Sequence, residues 1–364
     1  MEIAVLGGGH GCYAAAADAS EAGHTVRFWR RDAKALAPVL ESGVITVTDR
    51  KGRRDVPIAK PTADLAEAIR GADLILAPLP GTAQEGLADA IAPHLTDGQV
   101  VFAPPGTFGG YFMAKRVRAA GNKADVAWGD AGTLPWLVRK QGDGSIRITT
   151  RAERLPSGVF PARLSDHAFA AIGQAFPSAE RRRDALDAAF LNYGPIIHPP
   201  LILMNAGPLI HFERWDIHNE GTQDLIRNVH DALDAERVAI REAFGYGRPH
   251  FPLGDHYKRD PAGELMYPAT SHDELVGSSD WREHIDLRTH RYMTEDIALG
   301  LAFLVSAGDW AGVPCPVASG LLAIAGAAVG RDFRATGRTF ENLGLARLTR
   351  DGMRALLDDG LDAV

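Results

Sequence analysis

Met1-Glu-Ile-Ala-Val-Leu-Gly-Gly-Gly-His-Gly-Cys12 reads as a short strand running straight into a glycine turn. Ile3, Val5 and Leu6 supply the strand, and Ala14 to Ala17 open an alanine-rich helix behind the turn. In such a strand–turn–helix unit Gly7 permits the tight turn. Gly9, with no side chain, lets a pyrophosphate approach the backbone. The helix presents unpaired N–H groups and the positive end of its dipole to that phosphate. His10 and Gly11 complete the turn, and Cys12 stands at the third glycine position, small enough for close helix–strand packing. A second strand, Thr25 to Trp29, follows at the spacing a nucleotide-binding unit requires. A glycine turn of this kind can also be plain turn chemistry; its place between strand and helix favours a dinucleotide.

The second strand ends in Arg30-Arg31-Asp32. A carboxylate directly at that point would take both ribose hydroxyls and favour NAD(H). Guanidinium groups there can pair with a 2′-phosphate and stack on adenine, so the pattern predicts a preference for NADP(H). The competing reading leaves Arg30 and Arg31 solvated and gives the ribose to Asp32.

A chain of 364 residues suits two domains, and a hydrophobic content of 46% supports large cores. A net charge of −7 provides no basic face for nucleic acid. Two cysteines, Cys12 and Cys315, form neither a metal-ligand spacing nor a disulfide framework, which points to a reducing cytoplasm. The opening strand leaves no room for a signal peptide. The longest apolar run, Val317 to Val329, is too short and too rich in Gly and Ala to span a bilayer.

From the glycine turn onward, apolar strands alternate with helices. Strand Asp73–Ala77 ends in Pro78-Leu79-Pro80-Gly-Thr82, and strand Gln99–Ala103 ends in Pro104–Gly110. Gly43–Val47 and Arg54–Ala59 read as a strand pair, and Val126–Trp128 and Ser145–Thr150 as further strands. This alternation predicts an α/β dinucleotide-binding domain over residues 1–180, built on a doubly wound parallel sheet. Ligands of such sheets lie beyond the carboxyl ends of the strands, which places Leu79 and Pro80 on the nicotinamide side. From Arg181 on, helical patterns replace strands, predicting an all-α domain over 181–364. In it Leu225, Val229, Leu233, Ile240 and Phe244 fall on one helical stripe.

Two stretches of the helical half carry reactive side chains. In Ile196-Ile-His198-Pro-Pro-Leu-Ile-Leu-Met-Asn205, Pro199 and Pro200 suit a first helical turn, which would make His198 the cap or the residue before it. An imidazole beside the positive end of a helix is favoured in its neutral form, which suits proton exchange near pH 7. Asn205, about two turns on, shares much of that face and is read as a substrate contact. In Arg291-Tyr-Met-Thr-Glu-Asp296, Arg291 could hold a substrate carboxylate through its planar fork, and Asp296 could orient the distal nitrogen of an imidazole. Each stretch alone is also compatible with ordinary helix-terminus chemistry. The other histidines show no pairing that argues for a metal.

Taken in order, the strand-GxGxGx-helix unit, Leu134-Pro135, Asn192 to Pro199, Asn205-Ala-Gly207, Asp234-Ala-Glu-Arg237, Arg291 to Asp296, Gly330-Arg-Asp-Phe333 and Gly337 to Gly344 resemble the octopine/nopaline (opine) dehydrogenase family over nearly the whole chain. The His-Pro and Arg-Tyr-x-Thr-Glu-Asp stretches are its specific part. The resemblance implies a Rossmann domain, a helical domain and an active site where they meet. It also implies reductive condensation of an amino acid with a 2-oxo acid, usually pyruvate. By the same resemblance His198 is the catalytic histidine, Asp296 its partner, and Arg291 the carboxylate-binding arginine. The family commonly has a smaller residue at Cys12 and asparagine at His10. A soluble enzyme of small-molecule substrates follows, compatible with a homodimer, with no nucleic-acid, membrane or metal partner. Two other functions share the two-domain plan: a 2- or 3-hydroxy acid dehydrogenase that binds no amine, and a redox-silent nucleotide-binding regulator.

Overall fold

The computed structural model describes residues 1–258 and 262–363. They divide into two compact units: Met1–Ala189 with the chain from Arg354 onward, and Phe190–Met353. The boundary thus lies a little beyond the expected residue 181, and the last turns of the chain return to the first unit.

The first unit opens with β1 (Glu2–Leu6), α1 (His10–Glu21), β2 (Thr25–Trp29) and α2 (Ala33–Ser42). Then come β3 (Val44–Asp49), β4 (Gly52–Pro57), β5 (Lys60–Thr62), α3 (Leu65–Ile69), β6 (Leu74–Leu76), α4 (Gln84–Ile91), β7 (Val100–Phe102) and α5 (Gly109–Ala119). β8 (Ala127–Ala131), β9 (Trp136–Gly142), β10 (Ser145–Arg151), β11 (Leu155–Phe160), α6 (Ser165–Ala175), β12 (Ala179–Arg181) and α7 (Ala185–Ala189) complete it.

Eight strands form the main sheet in the order β12-β11-β8-β7-β6-β1-β2-β5, with every neighbouring pair parallel except β8 and β11. Its central strands are buried along their whole length at Leu74–Leu76 and Val100–Phe102, as a parallel sheet covered on both faces requires. The chain winds outward from β1 to β2 and β5, then returns to the other side of β1 with β6, β7 and β8. The order therefore reverses between β1 and β6, paired at Val5 and Leu76. Both strands end there, in Gly7 and in Pro78, at the switch point where doubly wound sheets bind ligands.

The β3–β4 hairpin forms as the sequence predicts, but outside the parallel sheet. It joins β10 and β9 in a second sheet, ordered β4-β3-β10-β9. Alternation decides this placement: Ile45, Val47, Val56, Val138, Ile146 and Ile148 are buried on one face, packed in the same core as Ala14–Ala17 of α1. The small side chains of α1 allow that close approach.

In the second unit the described elements include α8 (Gly194–Met204), α9 (Ala206–His211), α10 (Asp224–Ala243), α11 (Leu253–Lys258) and α12 (Ser271–Ser278). A π-helix over Tyr292–Leu301 runs on into α13 (Ala302–Ala311), and α14 (Pro316–Val329) follows. On α10 the expected stripe is only partly the buried face: Leu233 and Ile240 are inside, but Leu225 is 72% exposed, and Ile226, His230, Arg237 and Arg241 are buried with them. Arg237 is tolerated there because Asp234 pairs with it at 2.5 Å and the carbonyls of Phe190, His250 and Phe251 accept its remaining N–H groups. Among the described residues no helix is long and apolar enough to cross a membrane.

Candidate active site

The glycine turn has the geometry of a phosphate cradle. Gly7 sits at φ +120°, a conformation that favours glycine, with Leu79 and Cys12 pressed against its Cα. Gly9 caps α1, and the space a side chain would fill there is open, so the backbone N–H groups of the first turn are accessible. Gly11 packs against Leu134 and Pro78. The buried Cys12 thiol sits between the two strand ends, its single S–H within reach of the carbonyls of Leu6 at 3.5 Å and Pro78 at 3.7 Å. Burial pushes this thiol up to about 12, so it is packing and not a nucleophile. His10 accepts the backbone N–H of Lys140 at Nδ1, 2.7 Å away, which fastens β9 to the first turn of α1. These residues fit a dinucleotide: an open backbone at Gly9 and a helix N-terminus beside it. Leu79 is half-buried against the turn and Pro80 exposed beside it.

At the end of β2, Arg30 lies across Gly8, donating to the Tyr13 hydroxyl at 3.4 Å and the Ala35 carbonyl at 3.1 Å. Arg31 is exposed. Asp32 caps α2, accepting from the N–H groups of Lys34 and Ala35. Its carboxylate is thereby committed to the helix, which weakens the reading that gives it the ribose.

In the helical unit, α8 starts at Gly194 with Pro195 in its first turn, so His198 is inside the helix and not its cap. Pro199 and Pro200 follow as interior prolines. His198 Nδ1 stands 2.9 Å from Asp296 Oδ2, although the two are far apart in sequence. The imidazole also stacks on Tyr292, with ring centroids 3.8 Å apart and planes 18° apart. Asp296 lies in the π-helix, where five residues make roughly one turn, so Arg291 and Asp296 lie one turn apart. Burial pushes the Asp296 carboxyl up to about 7, against the lowering effect of the Arg291 charge. The Arg291 guanidinium is held above its ordinary value: burial acts to lower it and is outweighed by Asp296 and Glu295. Half of the Arg291 side chain is open to solvent, and Glu295 lies 4.0 Å from it.

Asn205 is placed differently from the expectation. It is buried at the end of α8; its amide donates to the carbonyls of Leu201 and Gly221, and its oxygen accepts from Trp215 Nε1. All three bonds are internal, so it anchors the loop after α9 and does not face a substrate. Three residues, two beside the His198–Asp296 pair and one beside the glycine turn, were not singled out from the sequence. Tyr292 had a signal, lying between Arg291 and Asp296 in one motif. Lys140, whose ammonium stands 4.4 Å over the Tyr13 ring, had none, because β9 reaches the glycine turn only through the second sheet. Gly194 had a signal of the same kind as Tyr292, lying in the Asn192 to Pro199 stretch; it lies against the Asp296 carboxylate. Among the described residues no group of His, Cys, Asp and Glu could hold a metal ion.

Residues 181–329 match the family described as NAD/NADP octopine/nopaline dehydrogenase, alpha-helical domain. An opine dehydrogenase of Arthrobacter sp. (strain 1C) is 28% identical over 361 residues, covering 98% of each chain. Octopine dehydrogenase in complex with NADH and L-arginine superposes with a TM-score of 0.73 at 21% identity, covering 99% of each chain. Yersinopine dehydrogenase with NADP+ bound gives 0.63 at 14% identity over 98% of each. At such identities these structures establish a shared fold, a parallel-dominated Rossmann-like sheet with a helical C-terminal part.

Proposed function

We propose that this chain, whose residues 181–329 match the octopine/nopaline dehydrogenase alpha-helical domain, catalyses the NAD(P)H-dependent reductive condensation of an amino acid with a 2-oxo acid such as pyruvate. The observation that carries this reading is the contact of His198 with Asp296, one turn from Arg291. The amine adds to the keto carbon, water leaves, and the resulting imine is reduced to a secondary amine bearing two carboxylates. When bound, the reduced nicotinamide supplies the hydride to the imine carbon.

The chain's own residues supply geometry and protons. Arg291 presents a fork of N–H donors suited to a substrate carboxylate. Asp296 engages Nδ1 of His198, which fixes the ring and leaves proton exchange to Nε2. Tyr292, stacked on the imidazole, holds its plane. His198 removes the proton the amine sheds on addition and returns one to the departing hydroxyl. Gly7, Gly9 and the first turn of α1 bind the pyrophosphate. Arg30 and Arg31 support NADP(H) over NAD(H), since Asp32 is committed to its helix cap. Two buried free thiols suit a reducing cytoplasm.

The test follows NADPH and NADH oxidation with pyruvate alone, then with pyruvate and each of the amino acids, with mass spectrometry of the products. Oxidation that requires an amine and yields an N-(1-carboxyethyl) amino acid supports condensation. Turnover with the oxo acid alone, unchanged by any amine, would assign a hydroxy acid dehydrogenase instead. No turnover with any pair of oxo acid and amine would leave a nucleotide-binding regulator.

A further inference from the structure

Two cations, Arg30 and Lys140, meet at Tyr13 beside the glycine turn of a chain whose net charge is −7, and Arg31 follows at the end of β2. Arg30 lies across Gly8 and reaches the Tyr13 hydroxyl. Arg31 follows it in the open. Lys140, carried by β9, stands over the face of the same tyrosine ring, 4.4 Å from its centre. Among the described residues none of the three has a carboxylate in ion-pair contact; their partners are a hydroxyl, a carbonyl and a ring face.

Holding Lys140 there has a cost. The side chain is partly buried, and burial together with the Arg30 charge lowers its ammonium below the ordinary lysine value, while Asp143 acts in the opposite sense. Two like charges kept beside one aromatic ring, with Asp143 acting on them but making no direct ion pair, suit an anion receptor better than a purely structural device. The placement also selects the anion. The N–H groups at the start of α1 serve the pyrophosphate. Tyr13 is one turn further along that helix, on the side where β2 ends, which is the side of the adenosine ribose.

We propose that Lys140, beside Arg30 at Tyr13, binds the 2′-phosphate of the adenosine half of NADP(H) and so sets cofactor preference from the second sheet. This rests on the NADP(H) reading above and extends it to a residue outside the nucleotide-binding motif. Tyr13 acts as a spacer, taking the Arg30 bond on its hydroxyl and the Lys140 charge on its face. The hydrogen bond from the Lys140 backbone to His10 fixes β9 at the required distance.

The test is equilibrium binding, read by cofactor fluorescence and by calorimetry with adenosine 2′,5′-bisphosphate and ADP as probes. It compares the wild type, Lys140→Met and Lys140→Gln, so that it does not depend on one variant folding; NADH affinity is the internal control. The wild type should bind NADPH and the bisphosphate more tightly than NADH and ADP. Both variants should lose roughly 10- to 100-fold for the 2′-phosphorylated ligands, with NADH and ADP within about twofold, as expected for one charge-assisted contact. A wild type without preference for the 2′-phosphate would remove the NADP(H) reading and this inference together. A preference that survives in both variants would overturn the inference alone and leave selection to Arg30 and Arg31. Equal weakening of all four ligands would overturn it as well, by assigning Lys140 to the pyrophosphate or to folding.

Discussion

Gly194 and Asp296 meet so closely that a β-carbon on Gly194 would overlap Oδ1 of the carboxylate. The other oxygen, Oδ2, is the one that faces His198. The Asp296 side chain is therefore gripped between the imidazole and bare backbone of the same helix. A second close approach lies further along, where Gly300 of the π-helix fits against Pro195 of α8. Two glycines thus let the two helices dock at a spacing that sets the His198–Asp296 distance.

Gly194→Ala should damage activity more than stability. The methyl group must displace the carboxylate, and overpacking of this kind costs about 1–3 kcal/mol. Displacement by a fraction of an ångström to 1 Å should lower kcat by about 10- to 100-fold while leaving the Kd for NADPH unchanged. Steady-state kinetics with fluorescence titration check this. Wild-type kcat in the alanine variant would show that the contact does not position Asp296.

His198→Ala and Asp296→Asn should each lower kcat by roughly 10²–10⁴ without changing cofactor affinity. Because the two residues act as a unit, the double variant should be little worse than the poorer single one. Losses that multiply would mean that the pair works as two independent groups.

The pH dependence of stability should carry the mark of a carboxyl shifted upward. The Asp296 pKa rises from the ordinary value of 3.8 to about 7 in the fold. Below about pH 4 it is protonated in both folded and unfolded chains, and its favourable contribution is complete. Between pH 4 and 7 the unfolded chain ionises first, so stability falls as pH rises and the deficit stays constant above 7. At about 1.4 kcal/mol per pKa unit, Asp296→Asn, which cannot ionise, should gain on the wild type by up to about 4 kcal/mol across that window. Thermal unfolding of both proteins at pH 4.5, 6 and 8 measures the difference. A gap independent of pH would show that the carboxyl ionises normally, with the imidazolium as its counter-ion.

Arg291→Lys should not be conservative. Lysine keeps the charge and loses the planar fork, so KM for one carboxylate substrate should rise by roughly 10-fold or more, with NADPH binding unaltered. A parallel loss of NADPH affinity would assign Arg291 to the cofactor or to the fold.

The parts of this molecule that could be read from sequence are those whose physics is local. Gly7, Gly9 and the Ala14–Ala17 run announce the strand–turn–helix unit because turn, close approach and helix packing each need those residues where they stand. His198 and Asp296 could be named, but their contact depends on Gly194, Gly300 and Pro195, whose role is visible only in three dimensions. Local composition misled in two ways. Pro199 and Pro200 resemble a helix start, yet Pro195 takes that position. Asn205 resembles an exposed polar group, yet three internal hydrogen bonds hold it. The buried face of α10 was hidden because Arg237 and Arg241 break an apolar pattern while lying inside. Lys140 was silent because the sheet that delivers it is assembled from segments about a hundred residues apart.

The return of the chain to the first unit has a consequence for biosynthesis. Leu356 and Leu357 are buried, Arg118 pairs with Asp362, and Arg163 donates to the Asp359 carbonyl. During translation, which runs at about 5–20 residues per second, the nucleotide-binding unit is made first but lacks these contacts until the whole helical unit has left the ribosome. The helical unit is thus an insertion that can close on itself while its host is still incomplete. The ribosome delivers this piece of the nucleotide-binding unit only after the helical unit, and a nascent chain arrested before residue 354 would carry a nucleotide-binding unit without it.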